Sequence, residues 1–158
     1  MCSNLAPMKN PVAPLYAIRN NISKVMAGLT DEQLNHIPEE FNNNLIWNAG
    51  HVVATMELLI YALSGNHTPS DKAFIDKYRK GTKPEGPASA EEIAAIKALL
   101  TSSLVKLEED LPRLHESDFK TYQTSFGVEL NSVKDALSFN GFHEAMHLGT
   151  MIALRKLV

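Results

Sequence analysis

The chain has 158 residues, with 15 Lys plus Arg against 18 Asp plus Glu, and is 44% apolar and 21% charged. That length suits one domain, 1–158, and that composition excludes a disordered chain. A formal charge of -3 gives no general attraction to nucleic acid or anionic lipid, and a lone cysteine, Cys2, excludes an intramolecular disulfide.

Met1–Pro14 lacks the apolar core of a signal peptide, so a cytoplasmic protein is expected. Leu15, Ile18, Ile22, Val25 and Leu29 follow a 3,4,3,4 spacing and predict a first helix. Gly28 and Thr30 end it, and Thr30-Asp31-Glu32-Gln33 reads as the capping box of a short turn. Asn42-Asn43-Asn44 offers an N-cap to a second helix running to about Leu63. Asn48, His51 and Glu57 interrupt its apolar run, so no membrane span is read there. Its apolar residues surround the helix, with Trp47 and Leu58 on one face and Val53 and Ile60 on the opposite one.

Residues 64–88 hold three prolines and three glycines and form a long connection, with a short helix expected at Asp71–Arg79. A third helix starts at Ser89, with Glu92 completing a capping box and Ile93, Ile96, Leu100, Leu104, Leu107 and Leu111 on one stripe. Pro112 stops it. Thr121–Asn131 reads as an extended loop or small hairpin, and Ser132 caps a last helix that continues to Val158. The expectation is an all-α four-helix bundle with its long connection between helices 2 and 3.

The last helix contains His143-Glu144-Ala145-Met146-His147, a literal H-E-x-x-H, and imidazoles at i and i+4 can share one metal ion. A zinc protease is not the reading, because Leu148–Val158 holds no His, Asp, Glu or Cys to supply a third ligand. The best upstream candidate is His51, on the face of the second helix with Trp47, Thr55 and Leu58. Alone it could equally be a hydrogen-bonded core histidine; beside the pair, the metal reading is the stronger. His36, His67 and His115 fall in loops. Glu144 is either a catalytic base reaching a water on the ion or a residue facing a neighbouring helix. Asn140, one turn before His143, orients a ligand or packs as a polar core residue. Cys2 lies too near a terminus to serve as nucleophile or ligand. Imidazole ligation predicts release of the ion as pH falls from about 7 toward 5.

The Trp47-Asn48-Ala49-Gly50-His51 stretch, the H-x-x-x-H of the last helix and the run Ser125–Lys156 together resemble the DinB/YfiT-like superfamily of metal-binding four-helix bundles. The resemblance covers nearly the whole chain and places its metal triad on His51, His143 and His147. A glutamine that many members carry after the last ligand is replaced by Thr150. The resemblance implies a divalent ion, nickel or zinc, and a homodimer. It also implies a thiol S-transferase using a low-molecular-weight thiol; the alternatives are a metal-dependent hydrolase and a metal-stabilised binding protein without turnover. Val53, Met56, Ile60 and Leu63 are the expected dimer surface, because a bundle helix needs only one apolar face for its own core.

Overall fold

A computed structural model describes residues 10–114 and 116–158, so Cys2 and His115 lie outside the described residues. The chain is mostly helical, in the order α1 (Ala13–Met26), α2 (Asp31–Asn35), α3 (Leu45–Glu57), α4 (Lys72–Tyr78), α5 (Ala90–Asp110) and α6 (Val133–Leu154). One antiparallel hairpin, β1 (Tyr122–Gln123) and β2 (Glu129–Leu130), precedes α6.

Side-chain caps begin the helices where polar residues precede apolar runs. Thr30 and Gln33 form a reciprocal box, and Asn44, Ser89 and Ser132 accept from the backbone N–H groups of Trp47, Glu92 and Asp135. At Ser89 the Glu92 carboxylate does not complete the box as expected. It accepts instead from Lys77 Nζ at 2.5 Å and Tyr78 Oη at 2.6 Å, tying α4 to α5.

The second expected helix is α3 followed without a break by a π-helical turn, Leu58–Ala62. Within and after that turn, the N–H groups of Leu63 and Asn66 donate five residues back, to the carbonyls of Leu58 and Tyr61, at 3.2 and 2.9 Å. By length and mean hydropathy, Leu45–Ala62 would suit a membrane span, yet 83% of it is buried inside the chain. It is the central core helix. Its one charge, Glu57, accepts from the N–H and hydroxyl of Ser70 at 2.8 and 2.9 Å, which docks the long connection onto α3.

Both α1 and α3 pack against both α5 and α6. This arrangement corrects the expected dimer surface. Val53, Met56 and Ile60 are fully buried, among Ile22, Ile96 and Leu100 at one level and Leu15, Leu104 and Leu107 at the other. The α3 face that carries them is turned into the core with residues of α1 and α5, and each such side chain stabilises the fold by about 1.5–3 kcal/mol. Exposed apolar residues lie elsewhere, among them Phe126 and Val128 on the hairpin and Phe142, Met146 and Ile152 on α6.

Candidate metal centre

Two helices supply the site. His51 comes from the second turn of α3, and His143 and His147 come from successive turns of α6, which packs against α3. The α6 stripe that carries the pair also carries the fully buried Ala136 and Leu154, so burying that stripe turns both imidazoles inward. One ligand atom from each of the three histidines lies within 4.8 Å of the others. Ring centroids are 4.5 Å apart for His143 and His147, 4.7 Å for His51 and His147, and 5.1 Å for His51 and His143.

Each residue around His51 has a mechanical task. Trp47 stacks on its ring at 4.6 Å and an interplanar angle of 11°. The Nδ1–H of His51 donates to the Tyr78 carbonyl at 2.7 Å, since a carbonyl only accepts. That leaves the Nε2 lone pair directed at the cluster, where the Thr55 hydroxyl donates to it at 3.3 Å. Gly50 makes the Tyr78 contact possible, because a Cβ there would stand 2.5 Å from the Tyr78 ring.

Asn48 does the same for the second helix. Its Nδ2 donates to Asn43 Oδ1 and to the Asn44 carbonyl, so its Oδ1 is turned to accept from His147 Nδ1–H at 2.8 Å. His147 therefore also presents Nε2 inward. His143 Nδ1 is buried with no protein partner, one of two such side-chain atoms among the described residues; the other is Asn140 Oδ1.

The cluster fits a divalent ion. Three imidazoles converge, two are locked in the tautomer that leaves Nε2 unprotonated, and the third keeps a buried nitrogen unpartnered. Burial keeps all three neutral, as ligation requires: it lowers the pKa of His51, and with the neighbouring histidines takes His143 to about 3 and His147 to about 4. With those shifts protons compete for the ligands less than for free imidazole, so release of an ion is expected below the window of 7 toward 5.

Glu144 is not part of the cluster. It is fully buried on an adjacent face of α6, about 100° round from His143 and about 60° from His147, where Arg19 Nε and Nη2 donate to its two oxygens at 2.9 and 2.8 Å. Asn140 Nδ2 adds a third bond at 2.8 Å, so Asn140 serves this ion pair. Arg19 is completed by Ser103 Oγ at 2.6 Å. A carboxylate so committed is a structural counter-ion, not a base. Arg19 went unread in the sequence, although its signal was present: it lies one turn from both Leu15 and Ile22, on the buried stripe of α1.

His36 and His67 are exposed and remote from the cluster. Tyr122 lines the cavity beside the histidines. Tyr61 is instead buried in the core, its hydroxyl donating to Asp110 at 3.0 Å.

Fold and site together define a mostly helical protein whose three-histidine cluster is suited to a divalent cation. Residues 15–151 match the family model of the DinB superfamily, and the chain belongs to that superfamily. No curated protein matches the chain.

Proposed function

We propose that the chain is a four-helix bundle that binds nickel or zinc through His51, His143 and His147 and acts as a thiol S-transferase with a low-molecular-weight thiol cosubstrate. The observation that carries the reaction type is the absence of a carboxylate, among the described residues, from the cavity the histidines face. A divalent ion would also activate a bound water, but a carboxylate base that would assist hydrolysis is missing from this lining, and Glu144 is engaged with Arg19. A thiol needs no such base, because a divalent ion holds it as thiolate. In the transfer, sulfur bonds to an electrophilic carbon, the leaving group departs with the bonding pair, and the thiol proton passes to solvent. This chain's residues orient the imidazoles, exclude water with apolar walls and leave one side open for the cosubstrate.

The test loads the protein with nickel or zinc, adds an electrophile with and without candidate thiols, and follows conjugate and hydrolysis product separately. Thiol-dependent conjugation lost in His51→Ala, with metal content lost in parallel and retained in His36→Ala, supports the reading. Thiol-independent hydrolysis overturns it.

The homodimer, in this proposal, uses α6 rather than α3. Phe142, Ala145, Met146, Gly149, Ile152 and Ala153 are all exposed and uncharged. Such a face favours self-association. Phe142→Lys with Ile152→Lys converts a dimer to a monomer in sedimentation; a monomeric parent chain overturns the assignment.

A further inference from the structure

The cavity over the three imidazoles has a volume of about 450 Å³, the size of a small-molecule site. Its walls are apolar for most of their extent. Leu58, Leu59 and Leu63 come from the π turn and its end, Phe139 and Met146 from α6, and Phe126 from the hairpin. Polar groups occur at two levels. Thr55 with the buried His51 and Thr124 mark the inner end, whereas Tyr122, Ser125 and Lys80, just past α4, are exposed and mark the rim. Among the described residues, Lys80 is the one lining residue with a formal charge, and none is acidic.

Chemistry follows from that order. A long polar molecule, such as a sugar or a polyanion, would leave its hydroxyls or charges unpaired against Leu58, Leu59, Phe126 and Phe139. A cationic amphiphile would meet Lys80 and, with a metal bound, a second positive centre, with no carboxylate to offset either. A neutral apolar molecule would fill the walls and leave the lysine unused. An apolar body with one negative group at its outer end satisfies every part.

We infer that the cavity binds an apolar monoanion, an alkyl or aryl carboxylate, with its apolar body between the π turn and α6 and its carboxylate at Lys80. The inference rests on reading this cavity as the reaction site, and it assigns the apolar monoanion to the electrophilic partner. The thiol cosubstrate reaches the histidines from the open side.

Trp47 supplies the reporter: it is the chain's one tryptophan and stacks on His51 beside the cavity. Decanoate, 1-decanol and decylamine are titrated into the full chain, both after chelation and with zinc, following Trp47 fluorescence. In the chelated protein a carboxylate has no ion to seek, so its preference reports Lys80. The expected order is decanoate tightest and decylamine weakest, with a rim charge favouring decanoate over decanol by about fivefold. Lys80→Gln removes that preference and leaves decanol unchanged; Lys80→Glu reverses the order of decanoate and decylamine. Leu59→Phe, which narrows the cavity and adds no second tryptophan, weakens all three probes. Equal affinity for the three probes, no binding of any, or an intact preference in Lys80→Gln overturns the inference. Zinc content of the same samples keeps the readings apart. One zinc per chain without an anion preference overturns only the monoanion; a Lys80-dependent preference without zinc binding overturns only the metal.

Discussion

Asn48 and His147 are separated by 99 positions and joined by one hydrogen bond at 2.8 Å. Removing the acceptor in Asn48→Ala frees the His147 ring to turn and leaves its Nδ1–H unpaired. Zinc affinity, measured against a competing chelator, is expected to fall about 10- to 100-fold with the fold unchanged. The Arg19–Glu144 pair carries a different penalty. Its side chains are 2% and 0% exposed, so neither charge can recover water when its partner goes. Arg19→Ala is expected to destabilise the protein by about 3–5 kcal/mol in chemical denaturation. Arg19→Met with Glu144→Leu should restore much of that loss, because an apolar pair needs no compensation. Were Glu144 instead a catalytic base, Glu144→Gln would abolish turnover at unchanged stability; a loss of stability is the outcome expected here.

The short helix α4 shows how a connecting segment becomes part of a site. Gly50 lets the Tyr78 ring lie against α3, Glu92 holds the Tyr78 hydroxyl, and the Tyr78 carbonyl then reaches His51. Gly50→Ala is expected to push α4 outward, cost about 1–3 kcal/mol of stability and weaken metal binding; denaturation and metal content check both. The sequence shows the capping residues of α2, α3, α5 and α6, because a cap is a local event of three or four residues. It also shows the three histidines, because their spacing places them on inward faces. It does not show the π turn, since Leu58–Ala62 carries no proline or glycine to mark a change of pitch. Nor does it show the Tyr78 carbonyl, a backbone atom that any residue type would supply. The back of α3 misled for a related reason. Apolar periodicity reports that Val53 and Ile60 must be covered, but not that they join a core with residues of α1 and α5 of the same chain.

Three neutral imidazoles inside one protein make the whole molecule sensitive to acid. In the unfolded chain each histidine takes up a proton near pH 6.5; in the folded chain His147 does so only at about 4 and His143 at about 3. Between those limits the unfolded state binds more protons, so stability falls as pH falls. The metal-free protein is expected to lose a few kcal/mol between pH 6.5 and 4, read from denaturation midpoints, and His147→Gln should flatten that slope. For the same reason protons compete weakly for the ligands above pH 4, so bound metal should be retained at pH 5 by elemental analysis after dialysis.

Arg19 and Glu144 stand 125 positions apart, and two of the three ligand histidines share the helix of Glu144. During synthesis, α1 through α5 therefore emerge with a guanidinium aimed at a partner not yet made. The apolar face of α3 likewise waits for the last of the described helices. Neither the interior nor the cluster can close until residue 147 has left the ribosome. Metal capture thus follows the synthesis of α6, and a ribosome stalled before α6 would hold a nascent protein with its core open to chaperones and proteases.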